Sequence, residues 1–480
     1  MTEAAMAREY DLVIRGGTIV DGTGTAGVAG DVAVKDGKIA AVGEVSSSGA
    51  EVIDAKGKLV TPGFVDVHTH YDGQATWDER MQPSSWHGVT TVVMGNCGVG
   101  FAPCREDDHE RLIKLMEGVE DIPFPVLADG LPWNWKSYPD YLDSLSGRAF
   151  DVDIGSQLPH AALRVFVMGD RGADREPATQ DDIAKMHEIA KEAMEAGALG
   201  FSTSRTLNHR TSDGQPTPTL TASEDELMGI ALGLKAANRG VLQFVSDFQD
   251  PKEEFAMLRR LVEKSGRPLS FSLLQSPLSS GGWRKQLAAL EEANAAGLAM
   301  KGQVAGRPVG LVFGLELTMN PFSRHEAYRQ IAHLPLAERV KALKSGEVRE
   351  RLLGEQPNAS EWNRRLGAWN RMSPMADCPN YEPDYEDTVE ALAKAAGVGP
   401  EQYALDHMLK NGGKGLLYLP FLNYTDGSLD PAHDMLLHEH TIPGLSDGGA
   451  HVGMICDGSF PTSNLTLFTR DRTRGPRIGV

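Results

Sequence analysis

Residues 62–74 read PGFVDVHTHYDGQ, with His68 and His70 two positions apart behind an apolar run. Side chains alternate faces along an extended strand, so both imidazoles project to one side, next to Asp66. Two imidazoles on one face can grip a single cation. The spacing by itself leaves a second reading open, in which one histidine packs in the core and the other caps a turn. Two more stretches add donors of matching chemistry. GVTTVVMGNCGVG is a β-prone run that terminates at Asn96-Cys97-Gly98, and TIPGLSDGGAH is a short apolar strand ending in Asp447, ahead of a glycine pair and His451. Two imidazoles, one thiolate and one carboxylate suit zinc, which takes N, S and O ligands in tetrahedral geometry. Taken singly, Cys97 also reads as a small buried apolar side chain and Asp447 as a helix N-cap. Their joint position at strand ends favours the metal.

Groups so distant in sequence meet only where parallel strands present their carboxyl ends together. The chain has that rhythm. In ATQDDIAKMHEIAKEAMEAG, Thr179 and Asp182 have capping-box spacing, an apolar face follows at Ile183, Met186, Ala190 and Met194, and Gly197 stops the helix before ALGFSTS. Ser223 and Glu226 open the next helix, Gly240 closes it, and VLQFVS follows; KEEFAMLRRLVEKSG precedes RPLSFSLLQ, and WRKQLAALEEANAAG precedes LAMKGQVAG. Consecutive helix-then-strand units without hairpin signals imply parallel strands with helical crossovers. A (β/α)8 barrel over residues 61–480 is expected, ahead of an open doubly wound sheet. No Gly-x-Gly-x-x-Gly follows a first strand, which weighs against nucleotide binding. Residues 1–60 read instead as a small antiparallel sheet module with turns at Gly-Gly, Asp-Gly and Lys-Gly. The segment 306–385 is rich in Trp, Pro, Arg and Met and reads as a long excursion, either a lid or a structural insertion.

Further polar residues are candidates for binding substrate. Arg205, and Arg164 with His160 in LPHAALRVFVMGDR, could clasp a carboxylate through the guanidinium fork or form structural ion pairs. His209 and His451 could touch substrate or leaving group, or serve a surface or supporting role.

The formal net charge of −19 over 480 residues opposes non-specific binding to nucleic acid or an anionic membrane. A small-molecule substrate suits this composition, and a homo-oligomer is compatible with it. The cysteines, Cys97, Cys104, Cys378 and Cys456, form no evident disulfide framework and fit a reducing cytoplasm. The opening MTEAAMAREYDLVIRGG has acidic residues and no apolar h-region, so no signal peptide is expected; no apolar run reaches the length of a transmembrane helix.

The motifs DLVIRGGTIVDGTG, GDVAVKDGKIAAVG, TPGFVDVHTHYDGQ, HGVTTVVMGNCGVGFAP, AGALGFSTSR and LSDGGAH resemble the amidohydrolase superfamily, and within it the N-acyl-D-amino-acid deacylase (D-aminoacylase) group. The resemblance implies a metal-bearing (β/α)8 barrel with a flanking β-sandwich, metal ligands at His68, His70 and Cys97, and an aspartate at Asp447 that binds metal and shuttles protons. It implies hydrolysis of a non-peptide C–N bond by activated water, in an N-acyl amino acid possibly of D configuration. Three departures qualify it. The group presents further histidines at the ends of its fifth and sixth barrel strands, where this sequence offers Gln243, Ser246, Asp247 or Gln275; one metal, zinc by preference, is therefore expected in place of two. Strand four, GFSTSR, has no lysine to carbamylate. The sequence given stops at DRTRGPRIGV, where the group continues into strands that complete the sandwich. Two rival expectations stand beside the deacylase: hydrolysis of a cyclic amide or lactone, or a non-hydrolytic reaction, on the same barrel; and an inactive barrel serving as a binding subunit.

Overall fold

The computed structural model describes residues 9–277, 279–355, 366–455 and 458–479. Cys456 lies outside the described residues. The chain divides into two compact units, one ending at Phe64 and the other spanning Val65–Gly479.

The first unit holds β1 (Tyr10–Ile19), β2 (Val28–Lys35), β3 (Lys38–Gly43), β4 (Gly49–Asp54) and β5 (Leu59–Val60) in one sheet of order β3-β2-β1-β4, with β5 also on β1. Asp36 and Gly37 turn β2 into β3, both with positive φ (50° and 71°), the backbone that two-residue hairpins demand. β1, β2 and β3 pair antiparallel. The wholly antiparallel expectation fails at β4 and β5, which both run parallel to β1. Alternation of apolar and polar residues records which face is covered; strand direction leaves no trace in it. The unit's small core is Val13, Ala33 and Val45.

The second unit is built on an eight-stranded sheet. Its strands are β6 (Phe64–Asp66), β7 (Val89–Met94), β8 (Asp153–Pro159), β9 (Gly200–Arg205), β10 (Val241–Ser246), β11 (Leu269–Ser272) and β12 (Met300–Ala305), followed after an excursion by an eighth. The excursion contributes β13 (Val309–Phe313), β14 (Ser373–Pro374) and β15 (Leu417–Leu422), and the eighth barrel strand is β16 (Thr441–Gly444). Barrel neighbours run in the order β16-β12-β11-β10-β9-β8-β7-β6, and every registered pair is parallel. Residues 200–204 of β9 are buried without alternation, as expected of a parallel strand covered on both faces. Just past the ends of β6 and β16 the two edges meet. Thr69 bridges Gly448 in parallel, His70 N donates to Gly448 O at 2.8 Å and Asp447 N to His68 O at 3.2 Å. This seam closes the (β/α)8 barrel.

The crossover helices begin and end where the caps require. Gln180–Ala196 starts on a reciprocal Thr179–Asp182 capping box and stops at Gly197. Glu224–Ala236 starts on Ser223, whose side chain accepts from Glu226 N, and ends before the expected Gly240. The excursion runs on past residue 385. β13 pairs with β15, which lies beyond that point, and β15 also pairs with β14. The segment buries its own cluster, including Phe313, Leu343, Met372, Leu405 and Met408. No helix among the described residues is long and apolar enough to cross a membrane.

Candidate metal centre

The barrel seam delivers three of the four expected ligands, and the end of β7 the fourth. His68 and His70 lie two and four residues past β6, both 1% exposed, with ring centroids 5.4 Å apart. Cys97 lies in the turn after β7 and Asp447 in the turn after β16, each in left-handed backbone (φ 55° and 49°). That conformation costs roughly 1 kcal/mol or more outside glycine, and it aims both side chains at the histidines. The glycine pair after Asp447 is needed for space. A Cβ on Gly449, at φ +90°, would sit 2.9 Å from His70 O.

One ligand atom each from His68, His70 and Cys97 can be chosen within 4.8 Å of one another. His68 Nε2 is 3.2 Å from Cys97 Sγ, and Asp447 Oδ1 is 3.5 Å from Nε2 of both His68 and His70. Both ring nitrogens of His70 are buried without a hydrogen bond. A buried imidazole left in that condition is costly, and a divalent cation would resolve it; the residues fit a metal. The tautomer of His68 suits the same purpose. Gln303 on β12 donates its amide N–H to Ser270 Oγ, so its Oε1 accepts from His68 Nδ1 at 2.8 Å and leaves Nε2 free towards Cys97 and Asp447.

Burial and charge act together here. Burial would raise Asp447, but His70, His68 and His451 outweigh it and hold the carboxylate well below its usual range. Burial brings His68 down to about 4, against the pull of Asp447, and pushes the Cys97 thiol up to about 12. His70 goes the other way: burial opposes its charge, yet Glu120, Asp447 and Cys97 carry it well above the ordinary histidine value. Asp66 is no ligand. Its carboxylate accepts from Ser446 Oγ and from His68 N at 3.3 Å, bracing both sides of the seam, and burial raises it to about 7.

Two of the substrate-binding candidates belong to the same neighbourhood. His451 Nε2 lies 3.9 Å from Asp447 Oδ2. His209 sits in the loop after β9 with Nδ1 2.9 Å from Ser204 Oγ, and burial, with His70 and His451 nearby, lowers it to about 3. The loop reaches this position because residue 118 is glycine. A Cβ there would meet the backbone of Thr211, Arg210 and Ser212 at 2.2–2.3 Å. Gly118→Ala is expected to displace the loop and destabilise the chain by about 1–3 kcal/mol, measurable as a lower denaturant midpoint.

Three other candidates have their donors committed elsewhere. Arg164 is 1% exposed, ion-paired to Glu226 and bonded to Glu176 O. His160 donates from Nε2 to Glu226 at 3.0 Å while Nδ1 accepts from Thr203 Oγ1 at 2.8 Å. Arg205 grips Glu254 at 2.7 Å and Ala222 O at 2.6 Å. In the structure these three side chains thus take the ion-pair alternative, with Glu226 and Glu254 as their partners. Among the residues expected at the fifth and sixth strand ends, Ser246 bonds Glu254, Asp247 accepts from Thr206 and Leu207, and Gln275 donates to Asp426. Gln243 alone of them is buried with both amide atoms unpartnered.

Sequence reasoning missed Glu120, the last residue of the helix His109–Glu120. Its Oε1 is 3.4 Å from His70 Nδ1 and its Oε2 3.5 Å from His451 Nε2, and burial raises it to about 8. A signal existed: Glu120 and Asp121 end a helix, where the macrodipole disfavours anions.

The family profile described as the amidohydrolase family matches residues 51–479. Among curated relatives, the D-aminoacylase of Alcaligenes xylosoxydans xylosoxydans is 36% identical over 198 residues, 41% of this chain and 38% of that protein. The N-acyl-D-glutamate deacylase of the same organism is 32% identical over 238 residues, 49% and 43% respectively. The chain thus matches about two fifths of the length of each of these relatives. A solved D-aminoacylase, described as having a binuclear metal centre with one-metal activation and second-metal attenuation, has a TM-score of 0.57 at 24% identity, covering 91% of this chain and 75% of that one. The N-acyl-D-glutamate deacylase of Bordetella bronchiseptica, complexed with zinc and a phosphonate inhibitor, gives 0.57 at 22%, covering 91% and 76%. At these identities the likeness is one of fold. The profile match, which runs from β4 through every barrel strand, settles the kinship: the chain belongs to the amidohydrolase family.

Proposed function

We propose that the chain is a metal-dependent hydrolase of non-peptide C–N bonds that cleaves the amide of an N-acyl amino acid, with the D configuration favoured by the relatives it resembles. One observation carries the reading: His68, His70 and Cys97 offer ligand atoms within 4.8 Å of one another, with Asp447 Oδ1 3.5 Å from both imidazoles. These four side chains would hold one divalent cation, zinc by their mix of N, S and O donors. Bound there, zinc would supply a Lewis acid that lowers the pKa of water and polarises a carbonyl.

The proton work falls to Asp447. Its carboxylate is held well below the usual range, with His70 foremost among the groups that offset burial, so it can accept a proton from the attacking water and return it to the departing nitrogen. Gln303 keeps His68 in the Nδ1–H tautomer. His209 and His451, which share the neighbourhood of Asp447, are the residues proposed to touch substrate or the leaving group. The protein is proposed to act in the cytoplasm, with lid movement and self-association left to the excursion and the surface.

The test joins metal content to a substrate panel. About one equivalent of zinc and turnover of N-acyl-D-amino acids in preference to N-acyl-L-amino acids is expected. Turnover of hydantoins or lactones alone would replace the deacylase reading, and a zinc-free chain inert to the whole panel would remove the enzyme.

A further inference from the structure

We propose that Glu120 is a positioning residue, clamping His70 and His451 from one carboxylate so that both imidazoles face Asp447. The inference rests on the metal reading above and adds a residue to it.

Glu120 is 1% exposed, and it closes a ring of four side chains. Its Oε1 lies 3.4 Å from His70 Nδ1, and His70 Nε2 lies 3.5 Å from Asp447 Oδ1. Its Oε2 lies 3.5 Å from His451 Nε2, which lies 3.9 Å from Asp447 Oδ2. One carboxylate therefore reaches the imidazoles on both sides of Asp447. The backbone tightens the clamp, since His451 N donates to Glu120 O.

The helix end is fixed independently of the histidines. Asp121, at the C-cap in left-handed backbone, accepts from Thr318 Oγ1 at 2.9 Å and from Gly453 N at 3.1 Å. Glu120 is thus held from behind while its side chain points into the site. A fold has no structural reason to bury an acid here. The C-terminal turn of a helix repels negative charge, and a buried ion pair contributes little net stability against an apolar replacement.

The two imidazoles nearest Asp447 have different supports. His68 leans on Gln303 Oε1. For His70, Glu120 is the acid beside Nδ1, and no hydrogen bond engages either of its ring nitrogens. A metal-bound histidine needs a second-nitrogen acceptor to fix its tautomer and ring plane, and a carboxylate also raises its basicity. Glu120 is placed to do this for His70 through Nδ1, directing Nε2 to the cluster.

The experiment titrates zinc alone into the metal-free chain against a chromophoric chelator, comparing wild type, Glu120→Gln and Glu120→Asp. Glu120→Gln is expected to bind zinc about 10- to 100-fold more weakly, because an amide brings no negative charge and only one acceptor oxygen to the two imidazoles. Glu120→Asp keeps the charge but withdraws it, and is expected to fall between the two. The unfolding midpoint of each metal-free chain reports folding separately from affinity. A folded Glu120→Gln with wild-type zinc affinity overturns the proposal; if that variant does not fold, wild-type affinity in Glu120→Asp overturns it. A wild-type chain that binds no zinc strikes the metal reading itself, so the two failures are distinct.

Discussion

Asp447→Asn is expected to lower kcat by about 10²- to 10⁴-fold, the usual contribution of a positioned proton carrier, while zinc content stays near wild type. The substitution preserves shape and one oxygen. It removes the capacity to take a proton at Oδ1 or Oδ2. In the native chain the carboxylate is held well below its usual range despite burial, with His70, 3.5 Å from Oδ1, foremost among the groups that lower it. Metal retention follows from the three remaining donors, His68, His70 and Cys97, whose mutual spacing does not depend on Asp447. The measurements are steady-state kinetics on the best substrate of the panel and elemental analysis of the same preparation. Turnover within a few-fold of wild type would remove Asp447 as the proton carrier. Parallel loss of zinc and activity would reduce it to a ligand.

How much of this could be seen in the sequence follows from where each feature stores its information. The barrel was legible because each crossover repeats local signals, such as the Thr179–Asp182 capping box and Gly197, which the chain obeys residue for residue. His68, His70, Cys97 and Asp447 were legible because their types are uncommon and each follows a β-prone run. What stayed open was non-local. Arg164 and His160 read either as a clasp for a carboxylate or as structural ion pairs until Glu226, 62 residues beyond Arg164, engages both. In the sequence Glu226 reads only as part of the opening of its own helix. Its N–H does serve Ser223 Oγ, but its carboxylate turns inward. Glu120 and Gln303 acquire meaning only through histidines 50 and 235 positions away, a pairing that periodicity cannot encode. The parallel entry of β4 and β5 is hidden for the same reason.

Glu226→Gln is expected to cost a large share of the fold's stability, about 3–5 kcal/mol at pH 7. Arg164 is almost wholly buried and donates to both carboxylate oxygens, while His160 Nε2 donates to one of them. Glutamine preserves the volume but leaves the guanidinium charge uncompensated, and its amide N–H₂ confronts one of the donors. The pH dependence has a definite sign. Burial would raise Glu226, yet hydrogen bonds and charge from His160 and Arg164 prevail and hold it at about 2 instead of the ordinary 4.5. A depressed carboxylate stabilises the fold fully above its unfolded value and loses that contribution as pH falls towards the folded one. The gap between wild type and variant should therefore be constant from pH 7 to about 5 and narrow below about 4.5. Chemical denaturation of both metal-free chains across that range reads it directly. A gap under about 1 kcal/mol at pH 7, or one that widens in acid, would mean that the Arg164–Glu226–His160 cluster does not anchor the helices His160–Met168 and Glu224–Ala236 as the geometry requires.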